Sequence, residues 1–329
     1  MKISAYLFMF FTLGIFILFF SFLSIDIYKF YTYNIKSYQE ENSIKIVTSA
    51  DDNFVTPLGV FLTSIAMNTK TPVEIIVLTR GFNEQNTTLL NQLKEKLTNI
   101  KISQIIIDKE IDFKDFSVKE RWNETIYYRY LIINHPTFQK MNKVLYLDAD
   151  IVVFKDLKEY WQIDLGDNFM AGRRDLNAYQ NPFRSVFPFK TDLYVNGGSL
   201  LLNLKKMRDE NIQPLLFETT YKYNDTFYYA DQDVMNFLFK DKIIELSPKY
   251  NGNILLESPF NKVVYHYLGD GKPWKTQSTD YHEWYKYQSY QNAILNNKSF
   301  PLTDYFIYLI DKLDYYFNFL ANTYYFSSK

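Results

Sequence analysis

An apolar run that contains two aspartates constrains the fold of this chain more than any other feature. The run is Lys143-Val144-Leu145-Tyr146-Leu147-Asp148-Ala149-Asp150-Ile151-Val152-Val153. Its Val, Leu and Tyr residues predict a buried strand. Residues i and i+2 of an extended chain point to the same side, so Asp148 and Asp150 are expected to converge at the strand tip, where open α/β sheets bind ligands. A divalent metal would offset the cost of two such acids. The alternative is a loop with two solvated aspartates.

Composition excludes several classes of protein. The chain has 329 residues, a formal net charge of -1 and no cysteine. A nearly neutral chain has no general attraction for nucleic acid, so we expect no nucleic-acid partner. Without cysteine there can be no disulfide, thiolate zinc site or cysteine nucleophile, which argues against a disulfide-rich secreted protein.

The N-terminal run from Ile3 to Ile25 contains no charged side chain. A helix of roughly 18 or more apolar residues is long enough to span a bilayer. A cleaved signal peptide is the alternative, but residues 21–24 lack a small-x-small cleavage site. The run therefore predicts a single-pass transmembrane helix, with residues 1–42 forming the anchor and a short stem over 26–42. Positive charges flank both sides almost equally, which leaves the membrane orientation open.

Strands and helices alternate between the stem and the aspartate pair. Predicted strands cover residues 44–50, 73–79 and 100–108, and predicted helices cover residues 57–67, 86–98 and 125–133. This alternation predicts an α/β fold with a mostly parallel central sheet. We expect one catalytic domain over residues 43–275 and a helical, aromatic C-terminal extension over residues 276–329.

The C-terminal extension carries apolar residues at near-helical spacing between Tyr305 and Leu320. This spacing predicts an amphipathic helix that either packs on the domain or lies at the bilayer interface. Acidic residues outnumber basic ones over residues 301–329, so attraction to anionic lipid is not expected.

Several motifs of the chain occur together in one known family. They are Ala50-Asp51-Asp52-Asn53, Arg129, Leu145-Tyr146-Leu147-Asp148-Ala149-Asp150, Asn196-Gly197-Gly198, Asp231-Gln232-Asp233 and His266-x-x-Gly269-x-x-Lys272-Pro273-Trp274. In order and spacing they resemble the retaining glycosyltransferases of family 8, which include bacterial lipopolysaccharide galactosyl- and glucosyltransferases and glycogenin. The resemblance covers about residues 44–275. It implies a single nucleotide-diphospho-sugar transferase domain of GT-A type.

The resemblance also implies a UDP-sugar donor and Mn²⁺. It assigns Asp148, Asp150 and His266 as metal ligands. Carboxylates with one imidazole suit Mn²⁺ better than Mg²⁺, which is the alternative metal. Lys272 matches a lysine that contacts the donor phosphates. The other donor-binding residues that the resemblance implies are Asp51, Asn53 and Phe54 at the uridine, Arg129 near the donor, Asp175 and Asn196 at the sugar, and Gly269 in the last motif.

The family retains the anomeric configuration, and two mechanisms achieve this. A double displacement needs a carboxylate nucleophile against the anomeric carbon. By resemblance the best-placed residue is Gln232, whose amide is a poor nucleophile. We therefore favour front-face substitution, in which a donor phosphate oxygen takes the acceptor's proton. Asp231 is the remaining candidate nucleophile.

Two other functions compete with glycosyl transfer. Haloacid-dehalogenase-like phosphatases also place an Asp-x-Asp after a hydrophobic strand, but there the first aspartate usually opens the domain. Here three predicted βα units precede it. A non-catalytic sugar-nucleotide binder would lack a ligand residue, and none is missing. We therefore expect a hexosyltransferase that uses UDP-galactose or UDP-glucose, a glycan or lipopolysaccharide-type acceptor, and a membrane anchor.

Overall fold

The computed structural model describes residues 2–111, 113–116, 123–176, 178, 191–252, 261–269 and 271–327. The helices within this part of the chain are α1 Lys2–Thr32, α2 Val55–Asn68, α3 Glu84–Lys96, α4 Lys158–Trp161, α5 Leu204–Asp209, α6 Ile212–Tyr223, α7 Asp231–Phe239, α8 His282–Leu295 and α9 Leu302–Ser327. The strands are β1 Ile44–Ser49, β2 Val73–Thr79, β3 Ile100–Ile106, β4 Val144–Leu147, β5 Ile151–Val153, β6 Met170–Arg174, β7 Val195–Leu202, β8 Ile243–Glu245 and β9 Val264–His266.

The main sheet is mostly parallel, as predicted. Its described strands follow the order β3-β2-β1-β4-β7-β6-β8, and β7 alone among them runs against the others. Strand β2 is buried along its whole length, which is typical of a parallel strand covered on both faces. Helices α2, α3 and α8 pack on one face of the sheet. Helices α6 and α7 pack on the other, beside a 3-10 helix, Glu124–Ile133, which replaces the α-helix predicted there.

The sheet order brings the ends of strands from distant parts of the sequence together at one edge of the sheet. Strands β1, β4 and β6 reach this edge with their carboxyl ends. Because β7 is antiparallel, it begins at the same edge: Leu147 of β4 is opposite Ser199 of β7, and Arg174 of β6 is opposite Val195. The residues that follow β1, β4 and β6 therefore meet the first residues of β7, which is where open α/β sheets bind ligands.

The aspartate run has a strand that ends just before the two aspartates, as predicted, and a second strand after them that was not predicted. Strand β4 ends at Leu147, and β5 begins at Ile151 in a separate two-stranded sheet with β9. Asp148 and Asp150 therefore lie in the turn between two sheets. Ile151 pairs with His266, the last residue of β9, and this register brings the imidazole beside the turn.

The predicted transmembrane anchor is wrong, and with it the single-pass membrane localisation. Among the residues that could be searched, no helix combines the length and apolarity that crossing a bilayer requires. The end of α1 instead packs on the domain. Phe30 is buried, Tyr305 of α9 donates a hydrogen bond to Asp26 at 2.9 Å, and Lys29 donates to Asn68 at 2.6 Å. A count of apolar residues cannot reveal that the charged end of the same helix is held against the protein.

The two ends of the chain meet on the domain. Helix α1 continues to Thr32, so the first part of the predicted stem is helical. Helix α9 buries Tyr305, Tyr308 and Leu309, while Phe306 and Ile310 remain exposed. One face of the predicted amphipathic helix thus packs on the domain.

Candidate active site

Two carboxylates and one imidazole converge where β4 and β9 end. Asp148, Asp150 and His266 each present one ligand atom, and these atoms lie within 4.8 Å of one another. His266 Nε2 is 3.1 Å from Asp150 Oδ1 and 3.7 Å from Asp148 Oδ2. Asp150 and His266 are buried, whereas the Asp148 side chain is 32% exposed. A ligand can therefore approach the group from the side of Asp148.

A chain of amides determines which nitrogen of His266 faces these acids. Asp175 can only accept, and it receives a hydrogen bond from Asn196 Nδ2 at 3.0 Å. Asn196 Oδ1 then accepts from the Gly198 N–H at 3.0 Å and from Asn251 Nδ2 at 2.9 Å. Asn251 Oδ1 is left facing His266 Nδ1 at 3.2 Å. A neutral His266 therefore carries its proton on Nδ1 and turns the Nε2 lone pair toward the carboxylates.

These residues fit a divalent metal ion. A nitrogen lone pair that faces two carboxylates is repelled by them unless a cation lies between. Within the described part of the chain, the buried Asp150 Oδ1 accepts no hydrogen bond. Two carboxylate oxygens and one imidazole nitrogen are a donor set that first-row divalent metals accept. Such a metal would supply Lewis-acid chemistry at a phosphate oxygen.

Lys272 neutralises the inner aspartate. Its Nζ donates to Asp150 Oδ2 at 2.5 Å and to the Tyr267 carbonyl at 2.6 Å. Burial raises the pKa of Asp150, but Lys272 and then His266 outweigh burial, and the pKa lies well below its usual range. Asp148 has a longer contact with a cation, 3.4 Å from Arg129 Nη2, and burial raises its pKa despite Arg129 and His266.

Arg129 is buried and joins three parts of the site. Its Nη1 donates to the Gly197 carbonyl at 2.5 Å, its Nη2 lies 3.4 Å from Asp148 Oδ1, and its Nε lies 2.9 Å from Asp231 Oδ2. The guanidinium stacks 4.0 Å from the centre of the Tyr146 ring. Burial nevertheless raises the pKa of Asp231 to about 7, against the effect of Arg129. Arg129 is thus a fixed cation and not the solvated helix charge that a lone arginine would suggest.

The glycine pair at the start of β7 allows the close approach of these groups. A Cβ on Gly198 would lie 2.0 Å from His266 Cε1 and 2.6 Å from Asp148 Oδ2. The Gly198 carbonyl also accepts a hydrogen bond from the Asp148 N–H at 2.8 Å. Any side chain at Gly198 would displace a metal-ligand candidate.

Gln232 is held at both ends of its amide. Its Oε1 accepts from the Gly197 N–H at 2.7 Å, and its Nε2 donates to Asp175 Oδ2 at 3.0 Å and to the Tyr194 hydroxyl at 3.1 Å. The residue before α7, Ala230, has φ +48° and ψ −120°, a conformation that side chains disfavour. Strained backbone thus precedes Asp231 and Gln232.

The residues predicted to meet the uridine follow β1 at the same sheet edge. Asp51 Oδ1 accepts from the Asn53 and Phe54 N–H groups at 3.0 and 3.2 Å, and its Oδ2 accepts from Asn123 Nδ2 at 2.6 Å. The Phe54 ring meets Trp274 edge-on, with centroids 5.5 Å apart. Asn53 is exposed. This group therefore lies beside the segment that follows β9.

Trp274 lies between Lys272, which contacts the acidic residues, and Phe54, which is predicted to meet the uridine. Lys272 Nζ lies 5.7 Å from the centre of the Trp274 ring. Beyond this ring is a cavity of about 390 Å³ whose lining includes Asn53, Trp284 and Tyr285. Gly269, in the same segment, has φ +80°, and a Cβ there would meet no atom within 4 Å. Its backbone conformation, and not lack of space, favours glycine.

The structure thus brings every predicted site residue to one sheet edge, and it adds three that sequence reasoning missed. Asn251 orients His266, Asn123 holds Asp51, and Tyr194 contacts Gln232. Asn251 precedes Gly252, and an Asn-Gly pair alone indicates only a turn. No spacing rule would have identified these residues.

The GT-A-like fold, the polar groups at its ligand edge and the Asp-Asp-His group define a class, the nucleotide-sugar-dependent glycosyltransferases. The model of glycosyl transferase family 8 matches residues 45–278. The chain belongs to this family. It is therefore a hexosyltransferase, and the phosphatase and the non-catalytic binder are set aside.

Relatives of known structure or activity agree with the family. The lipopolysaccharide 1,2-glucosyltransferase of Escherichia coli K12 is 24% identical over 295 residues, which are 84% of this chain and 84% of that protein. The galactosyltransferase LgtC, solved with donor and acceptor sugar analogues, is 27% identical with a TM-score of 0.64, over 78% of this chain and 96% of that one. An active-site variant of LgtC with a glutamate in place of a glutamine is 29% identical with a TM-score of 0.61, over 70% and 89%.

Proposed function

We propose that this protein transfers galactose or glucose from a UDP-sugar to a glycan or lipopolysaccharide-type acceptor, with Mn²⁺ and with retention of configuration. The observation that carries the proposal is the position of His266 Nε2, 3.1 Å from Asp150 Oδ1 and 3.7 Å from Asp148 Oδ2, with Nδ1 facing Asn251 Oδ1. An imidazole nitrogen beside two carboxylates favours Mn²⁺ over Mg²⁺, which prefers an all-oxygen shell. The glucosyl- and galactosyltransferase relatives support a hexose donor.

The donor's two ends would be bound by different groups. Asp51, Asn53 and Phe54 would contact the uridine, with the Phe54 ring available for stacking. Lys272 would donate to the diphosphate and stabilise charge on the leaving group. Asn196 and Asp175 would hydrogen-bond sugar hydroxyls, and such contacts discriminate epimers. Arg129 would affect donor binding indirectly, because it contacts and positions Gly197, Asp148 and Asp231.

Front-face substitution is the mechanism that we favour. Both ends of the Gln232 amide are hydrogen-bonded, so this residue would position the sugar and not attack it. Asp231 is paired with Arg129 at 2.9 Å, and its pKa of about 7 leaves much of it protonated near neutral pH. Both effects weaken a carboxylate nucleophile. A glycosyl adduct trapped on Asp231 would instead show a double displacement.

A panel of UDP-sugars tests this proposal. The purified chain is incubated with UDP-galactose or UDP-glucose, with Mn²⁺, Mg²⁺ or EDTA, and released UDP and phosphate are measured. We expect UDP release with one hexose, more with Mn²⁺ than with Mg²⁺, and none with EDTA. Equal UDP release in EDTA would contradict the metal assignment, and no release from either sugar would contradict the donor assignment.

A further inference from the structure

We infer that Lys272 substitutes for the metal at Asp150 and moves to the donor's diphosphate when metal binds, so that metal and nucleotide bind cooperatively. This inference rests on the proposed metal and donor. It adds that one lysine alternates between two anionic partners.

The contacts of Lys272 show which negative charge it neutralises within the protein. Its Nζ is 2.5 Å from Asp150 Oδ2, a residue only 6% exposed. The other cation of the site, Arg129, contacts Asp148 and Asp231 instead. Lys272 is therefore the cation paired with the inner metal-ligand candidate at Oδ2, and a metal ion at Oδ1 would add a second positive charge to the same carboxylate.

Lys272 can leave Asp150 without breaking a contact with another charged residue, whereas Arg129 is held by two aspartates. The Lys272 side chain is 16% exposed, and besides Asp150 its Nζ contacts the neutral Tyr267 carbonyl. It follows β9 in the segment that also carries Trp274, between the acids and the residues expected to bind uridine. An ammonium on a flexible stem can exchange one anionic partner for another. Arg129 is 4% exposed, and Gly197, Asp148, Asp231 and the Ile126 carbonyl all contact its guanidinium.

Cooperative binding follows from this exchange. Metal binding alone places two cations on one carboxylate, which weakens the contact between Lys272 and Asp150 and gives the lysine's charge no new partner. A diphosphate alone must attract Lys272 away from Asp150 and leave a buried carboxylate unpaired. When both bind, Asp150 receives the metal and Lys272 receives phosphate oxygens. Each ligand therefore increases the affinity for the other by the same factor.

The test measures Mn²⁺ and UDP binding, not catalysis. Free Mn²⁺ is followed by electron paramagnetic resonance, and UDP binding is followed by calorimetry at saturating Mn²⁺. In Lys272→Met we expect Mn²⁺ alone to bind at least about tenfold more tightly, because its competitor is gone. We expect UDP with Mn²⁺ to bind about tenfold or more weakly, because a charge-assisted hydrogen bond is lost. Lys140→Met, at an exposed lysine before β4 and away from the strand ends that form the site, should change neither affinity.

Two further variants guard against misfolding and against a simple charge effect. Lys272→Gln should reproduce Lys272→Met, with folding checked by thermal unfolding. Lys272→Arg keeps the charge and should keep the weak binding of Mn²⁺ alone. Unchanged or weaker binding of Mn²⁺ alone in folded Lys272→Met and Lys272→Gln would overturn the exchange. If the wild-type chain fails to bind Mn²⁺ and UDP even together, the proposed function itself is wrong.

Discussion

Two clusters of buried charge in this protein are built in opposite ways. The site cluster consists of Asp148, Asp150, Asp175, Asp231, Arg129 and Lys272. The helix-junction cluster lies between α1, α8 and α9 and consists of Asp26, Glu283, Lys286 and Lys312. In the site cluster four carboxylates face two cations. In the helix-junction cluster each carboxylate forms an ion pair with at least one lysine.

The direction of the pKa shifts reflects this difference. In the helix-junction cluster, burial raises the pKa of Glu283, but Lys286 and Lys312 outweigh it and the pKa lies well below its usual range. In the site cluster, burial raises the pKa of Asp148 and brings that of Asp231 to about 7, whereas the pKa of Asp150 is lowered because Lys272 outweighs its burial. The helix-junction cluster is compensated by its own lysines and fixes structure. The site cluster has an excess of acid and is suited to accept a divalent cation.

The largest expected effect is on activity, in the site cluster. Asp150→Asn should lower metal-dependent transfer by about 10³-fold or more, because a ligand to the charge-stabilising metal is lost. The free energy of unfolding should fall by about 1–3 kcal/mol, because asparagine keeps the volume but Lys272 loses a buried ion-pair partner. Initial rates and thermal unfolding measure the two effects. Retained activity would contradict the site assignment.

The helix-junction cluster should respond in the opposite way. Glu283→Gln removes the one carboxylate that contacts both Lys286 and Lys312 and should destabilise the fold by about 3–5 kcal/mol. Activity per folded molecule, measured well below the unfolding temperature, should stay the same. Glu218→Gln, at an exposed position, is the matched control and should cost less than about 0.5 kcal/mol. A stable, inactive Glu283→Gln would refute the structural role.

Asn251 tests whether the amide chain matters for the metal. Asn251→Ala removes the partner of His266 Nδ1 and should lower Mn²⁺ affinity about 10–100-fold. Asn99→Ala removes another partly buried amide, which donates to the Ala66 carbonyl away from the site, and should not change Mn²⁺ affinity. Equal losses in the two variants would mean that Asn251 acts only through stability.

The smallest expected effect is on the free energy of unfolding, through the strained backbone at Ala230. Ala230→Gly should raise the free energy of unfolding by about 1 kcal/mol, because glycine adopts φ +48° without steric cost. Ala293→Gly, inside α8 near the helix-junction cluster, should lower it by about 1 kcal/mol. Denaturant unfolding of both variants compares them directly. Destabilisation by Ala230→Gly would mean that the site region stores no strain there.

Local patterns predicted the sheet well because burial and chain direction dominate there. Strand Val73–Thr79 has the predicted bounds, since its apolar run is buried on both faces. The Asp-x-Asp turn was predicted as the end of a strand because no local signal shows that Ile151 pairs with His266. The role of Asn251 depends on contacts across more than one element of the fold. The prediction of an N-terminal membrane anchor was wrong for a similar reason, because Asp26 and Lys29 form hydrogen bonds with residues far along the chain.

The central claim is that the site cluster binds one divalent cation. It is tested most directly by counting bound Mn²⁺ in the presence of UDP, by electron paramagnetic resonance, for the wild-type chain and for Asp150→Asn. We expect one tightly bound ion per wild-type chain and binding at least about 100-fold weaker in the variant, which loses a charged ligand. Equal binding by both proteins, or none by the wild type, would contradict the claim.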